Sequence, residues 1–144
     1  MAELAEGGAS PLFSLKLKVR DYECDLQQIV NNAVYLHYFE HTRHEFLLQL
    51  GIDFASLHRR GIDLVVVRAE LDYHYPLRSG DRFVVTLDVE RKGAIRFLFR
   101  QSIFLLPDRR RIVTGVFHGA SLRAGRPAAV PEVADALNQA STGT

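Results

Sequence analysis

A chain of 144 residues, 47% of them apolar, is long enough to bury one substantial core and too short to expect a second domain. Eighteen basic residues against 17 acidic ones leave a formal charge of +1, which argues against a nucleic-acid or membrane-surface protein. The single cysteine, Cys24, excludes an internal disulfide and points to a reducing, cytoplasmic setting.

In chain order, residues 1–10 are small, acidic and rich in glycine and alanine, without the basic start and apolar run of a signal peptide. They read as an N-terminal tail, residues 11–139 as a single domain, and residues 140–144 as a second tail. No apolar run approaches membrane-spanning length. Phe13, Leu15, Leu17 and Val19 alternate with polar residues, the period of a strand with one wet face. From Asn32 to Leu50 the period becomes helical, with Tyr35, Leu36, Phe39, Phe46, Leu47 and Leu50 on one side and Gly51 placed as a C-terminal cap. Ile52 to Arg60 reads as a shorter helical segment closed by Gly61. Four β-rich runs follow, Leu64–Tyr75, Arg82–Glu90, Ile95–Leu105 and Arg111–Leu122, separated by turn residues. Pro131–Gln139 predicts a short terminal helix with proline in its first turn. A strand, a long helix and a meander of four strands predict an α+β fold: a curved antiparallel sheet of about five strands wrapped around one long helix. Exposed edges on so small a sheet predict a homo-oligomer, a dimer or a tetramer.

Asp25 follows the first strand and precedes the strongest helix. It has two readings by position. It can cap the helix, or it can act as a base or nucleophile beside the unpaired N–H groups of the first turn, which can hold a developing oxyanion. Pattern alone makes the cap the simpler of the two. Cys24 lies between acids that raise its pKa, so it reads as a passive thiol. Arg43 is anomalous, because it falls on the apolar side of the helix, where a guanidinium needs a partner. His37, His41 and His44 form one stripe, read as a polar face opposite Arg43 rather than as a metal site. Arg91, Lys92 and Arg96 form one basic cluster and Arg109 to Arg111 a second; either suits phosphates or an acidic protein surface.

Several segments in order carry a family resemblance: Glu23-Cys24-Asp25, Ile29-Val30, Ala33-Val34-Tyr35, the helix through Arg43-His44-Glu45-Phe46, Leu71 to Asp81, and Gly125-Arg126-Pro127 with Val130-Pro131. Over roughly Phe13 to Leu137 the chain resembles the hotdog-fold thioesterases of the 4-hydroxybenzoyl-CoA thioesterase-like branch. It is most similar to the acyl-lipid group known from plants, which acts on acyl carrier protein (ACP) thioesters. Gln28 departs from the pattern where the family commonly has glycine, and Asn31-Asn32 stands where a Tyr-His pair is frequent.

The resemblance implies hydrolysis of acyl-CoA or acyl-ACP thioesters, of fatty acyl or 3-oxoacyl type, with no cofactor and no metal. It implies that Asp25 is the catalytic nucleophile or base and that the Asn32 backbone N–H is the oxyanion donor. Asn32 or Asn31 then caps the helix, and Asn31 and Tyr35 adjoin the acyl group. It also implies that Arg43 fixes a carboxylate, Asp25 or Glu40, or forms a buried structural ion pair. Arg91, Lys92 and Arg96 are expected to hold the carrier. Other readings of the same fold are a thioesterase for an aromatic acyl-CoA or an enediyne polyketide, a dehydratase (for which His74-Tyr75-Pro76 is only an echo), and a non-catalytic acyl-binding module.

Overall fold

The computed structural model describes residues 10–142. Alternation places Phe13, Leu15 and Leu17 on the covered side of β1 (Phe13–Lys18) and Ser14, Lys16 and Lys18 in solvent. A 3₁₀ turn at Asp21–Glu23 leads through the Asp25 loop into α1 (Asn32–Gln49). The α1 helix ends as expected at Gly51, which has φ +86; its N–H donates to the Leu48 carbonyl, and that of Ile52 donates to Leu47. There follow α2 (Phe54–Arg59), β2 (Ile62–Tyr73), β3 (Arg82–Arg91), β4 (Arg96–Leu105), β5 (Arg110–Arg123), the two-residue β6 (Arg126–Pro127) and α3 (Pro131–Thr142). The last helix continues through residues read as a tail, to Thr142. Of the N-terminal tail only Ser10 lies within the described residues, and residues 143–144 lie outside them.

All strands join one antiparallel sheet in the order β1-β3-β4-β5-β2, with β6 beside β5. The four-strand meander is therefore corrected. Only β3, β4 and β5 are consecutive neighbours, while β2 pairs with β5 at the far edge. The reason lies in residues 74–81, which do not form a hairpin. Leu77 within them is fully buried, and its N–H and carbonyl are bonded to Tyr35 and Val30. The segment thus crosses over the start of α1 on its way from the β2 edge of the sheet to β3, the strand next to the opposite edge. The inward faces of the strands and the covered side of α1 make one core containing Phe39, Leu47, Phe83, Leu87, Ile103 and Phe117. The buried face of α1 also differs from the apolar stripe. Tyr38 and Thr42 are buried, whereas Leu36 is 39% exposed, because the sheet curls around one flank of the helix and leaves the other open.

Candidate active site

Short-range hydrogen bonds fix the loop before α1. Cys24 and Val30 form an antiparallel bridge. Inside it the Asp25 N–H donates to the Ile29 carbonyl at 2.9 Å, and the Asp25 carbonyl accepts from Gln28 at 2.9 Å. Asp25 Oδ1 accepts from the Gln27 N–H at 2.8 Å. This turn requires φ +66 at Gln28, the position where the family pattern expects glycine. Val30 in turn donates to the Leu77 carbonyl at 2.9 Å, which anchors the loop to the crossover segment.

Asp25 therefore does not cap α1. That role falls to Asn31, whose Oδ1 accepts from the Ala33 N–H at 2.8 Å and whose carbonyl accepts from Val34 at 2.9 Å. The Asn31 N–H is engaged with the Glu23 carbonyl at 3.0 Å. Asn32 begins the helix, so its own N–H has no intrahelical acceptor to reach. Asp25, Asn32, Tyr35, Tyr73 and Tyr75 line one cavity of about 520 Å³. Asp25 is half-buried at its wall. Tyr35 is buried, accepts from the Leu77 N–H at 3.0 Å and meets Tyr38 and Tyr73 edge-on. Tyr73 closes the circle by donating to the Asn32 carbonyl at 3.3 Å. The cavity thus brings a carboxylate, a helix N-terminus and an aromatic wall together.

Arg43 lies elsewhere, at a second and more apolar cavity of about 630 Å³ between α1 and the sheet, bordered by Leu36, Phe97, Phe99, Phe117 and Leu137. Its hydrogen-bond partner is neither Asp25 nor Glu40 but a neutral amide, which corrects the ion-pair reading, although Glu40 lies near enough to favour the charged guanidinium through space. Its Nη1 donates to Gln101 Oε1 at 2.9 Å, and the guanidinium carbon stacks 4.5 Å from the Phe117 ring centroid. Gln101 is buried and passes the chain of bonds on, donating from Nε2 to the Phe39 carbonyl at 3.2 Å. Burial lowers the Arg43 pKa to about 10, so the side chain stays charged at neutral pH. His37 and His44 border this same cavity rather than an opposite face, and His44 packs on Phe54 at 4.5 Å. Among the described residues no three His, Cys, Asp or Glu side chains converge as metal ligands.

The first basic cluster is not brought to Asp25 within one chain. Arg91, Lys92 and Arg96 sit at the β3–β4 turn, while Asp25 neighbours the opposite end of β3; the strand's ten residues separate them by roughly 30 Å. Lys92 also pairs with Glu90 at 2.8 Å, and Arg91 donates to the Gly93 carbonyl. The second cluster lies at the right end. Arg110 stacks over Tyr75, 3.4 Å from the ring centroid, and Tyr75 lines the Asp25 cavity. Cys24 is half-buried, its pKa raised first by burial and then by Asp21, consistent with a passive thiol.

Sequence reasoning missed Gln101, Tyr73, Tyr75 and Glu23. Gln101 had a signal, since it continues the inward series Phe97, Phe99, Ile103 at period two. The tyrosines had none, because only the β2–β5 pairing brings them to the helix start.

The chain matches the thioesterase-like superfamily over residues 19–137. It is 42% identical over 106 residues to an acyl-acyl carrier protein thioesterase, chloroplastic, of Arabidopsis thaliana, covering 74% of this chain and 56% of that protein. It thus spans little more than half the length of this plant relative. It is 30% identical over 93 residues to the long-chain acyl-CoA thioesterase FadM of Escherichia coli, covering 65% and 70% of the two chains. Among solved structures, a 1,4-dihydroxy-2-naphthoyl-CoA thioesterase from Synechocystis superposes with a TM-score of 0.83 at 19% identity, over 91% of this chain and 96% of that one. A hypothetical protein from Aquifex aeolicus superposes at 0.81 and 28% identity, over 87% and 98%. A curled antiparallel sheet around a long helix, with the matched segments in order, is the hotdog fold, and the chain belongs to the thioesterase-like superfamily.

Proposed function

We propose that this chain hydrolyses acyl thioesters carried on ACP or coenzyme A, releasing a free acid and a thiol. The observation that carries this reading is the Asp25 carboxylate lining one cavity with Asn32, the first residue of α1. A thioester carbonyl seated there would direct its oxygen to the first-turn N–H, where developing charge is stabilised; one such donor is worth roughly 3 kcal/mol. Asp25 Oδ2 then adds to the carbonyl carbon, or takes a proton from the water that adds. In both routes the C–S bond breaks, the thiolate leaves and is protonated, and one water is consumed. The apolar cavity beside Arg43 suits an acyl chain, with the guanidinium near the chain rather than the reacting bond.

The similarity to the plant acyl-ACP protein supports a carrier-protein substrate, and that to FadM supports an acyl-CoA substrate. No residue borders both cavities within one chain. A second copy joined along the exposed β2 edge, where Val66 and Val67 face solvent, would supply the missing wall; we read the working unit as a homo-oligomer. The half-buried free thiol of Cys24 suits a reducing compartment such as the cytoplasm.

Thiol release, followed over a panel of acyl-CoA and acyl-ACP thioesters of varied chain length, tests the assignment. Asp25→Asn should abolish turnover while leaving the circular dichroism and melting profile intact. Turnover within a few-fold of wild type would remove Asp25 from the mechanism.

A further inference from the structure

Glu23 lies two residues before Asp25, with its side chain only 10% exposed. Bonds from Arg20, Tyr38 and Asn31 converge on it from both sides of the candidate site. Its Oε1 accepts from the Arg20 N–H at 2.8 Å and from the Tyr38 hydroxyl at 2.7 Å. Its backbone carbonyl accepts from the Asn31 N–H at 3.0 Å. Its Oε2 faces the Arg20 guanidinium at 3.5 Å. Tyr38 is buried on α1, two turns in from the helix start, and its ring packs against Phe83 at 4.7 Å. Glu23 is thus the residue at which the exit of β1, the covered face of α1 and the cap residue of α1 meet.

We propose that Glu23 is a positioning residue for thioester hydrolysis, fixing Asp25 and the Asn32 N–H relative to each other by tying their loop to Tyr38 and to Asn31. The inference rests on the reading that Asp25 carries the reaction. The physical case is one of lever arms. Asp25 stands two residues after Glu23, and Asn32 one residue after the Asn31 held by the Glu23 carbonyl. The two connections differ in length and direction, so a shift at Glu23 changes the position of the carboxylate relative to the oxyanion donor. Three contacts leave the loop elsewhere: Val30 with Leu77, which in turn donates to Tyr35 of α1, Asp21 with Ser79 Oγ, and the Cys24 thiol with the Ser79 backbone; all three reach the helix only through the crossover segment. The hydrogen bond to Tyr38 is the one that runs from this loop to the helix interior. Burial first, and then Glu23, raises the Tyr38 pKa, so the phenol remains a donor throughout the working range.

The test compares Glu23→Ala, Glu23→Gln and Tyr38→Phe with Asp25→Asn, each assayed by thiol release well below its own melting temperature. A misplacement of about an ångström costs on the order of a hundredfold, so Glu23→Ala should lower kcat by ~10–100-fold with KM little changed. Glu23→Gln keeps an oxygen for both donors and should restore most of kcat. Tyr38→Phe removes one tether and should fall between Ala and wild type. A folded Glu23→Ala with wild-type kcat, or one whose loss lies in KM alone, overturns the proposal if Asp25→Asn is inactive. So does a Glu23→Gln as impaired as Glu23→Ala, which would mean that charge, not geometry, is required. If Glu23→Ala does not fold, an unimpaired Tyr38→Phe overturns it. Full turnover by Asp25→Asn would instead sink the reading on which the inference rests.

Discussion

Gln28 offers a clean perturbation, because its side chain is exposed and its backbone has φ +66. An L-residue in this left-handed conformation costs about 1–2 kcal/mol. Glycine removes that cost but loses roughly 0.5–1 kcal/mol more than other residues to backbone ordering on folding. The difference predicts that Gln28→Gly stabilises the protein by about 0.5–1 kcal/mol, raising Tm by roughly 2–4 °C for a domain of this size. Gln28→Val should move the other way by about 1 kcal/mol, since a β-branched side chain tolerates positive φ poorly. Urea denaturation at one fixed protein concentration, with an unchanged m-value, reads both. A glycine variant less stable than wild type by 0.5 kcal/mol or more would refute the reasoning, because it would mean that the turn is not limited by the conformation of this residue.

Gln101→Leu should destabilise by about 1.5–3 kcal/mol, since it strips Arg43 of its acceptor and leaves a buried cation unpaired. In an Arg43→Met background the same change should cost markedly less, and additivity within about 0.5 kcal/mol in the double-mutant cycle would show that the pair is uncoupled. Gly115→Ala should cost roughly 1–3 kcal/mol. A methyl there would meet Phe117 Cε2 at 2.8 Å, and the displaced ring is the one Arg43 stacks on and Phe39 packs against, so an undiminished urea midpoint would refute the overpacking. Burial holds the His44 pKa below its ordinary value, so the fold favours the neutral ring. This contribution is present above the unfolded pKa and is lost as pH falls through the folded one. Wild type should therefore lose stability relative to His44→Gln as pH falls from neutrality through the histidine range; parallel urea melts that keep a constant gap would contradict this.

The element types were legible because periodicity is local. Phe13 to Val19 alternates, Asn32 to Leu50 follows a helical period, and Gly51 sits where a left-handed residue closes the helix. The placement of Asp25 ahead of a helix start was also legible, and the departure at Gln28 marked the residue that adopts positive φ. Sheet order was not, because a short connection between two strand-like runs reads as a hairpin unless one knows that Leu77 is buried. The partner of Arg43 was hidden by distance along the chain, although the inward register of Gln101 pointed to it. The choice between the two arginine clusters was open for the same reason. Which of them lies near Asp25 is decided by which end of β3 each turn occupies, a matter of pairing rather than composition.

The sheet order has a consequence for how the molecule is made. β1 finds its partner in β3, and among the described residues β2 pairs only with β5, nearly fifty positions later. Pairing of β2 can begin only once Val113 has been made and is complete only with Arg123, and until then α1 has only part of the surface that covers it. The greasy N-terminal half must therefore wait, unpaired, for its C-terminal half, a non-local topology that folds slowly and exposes an aggregation-prone edge to chaperones during synthesis.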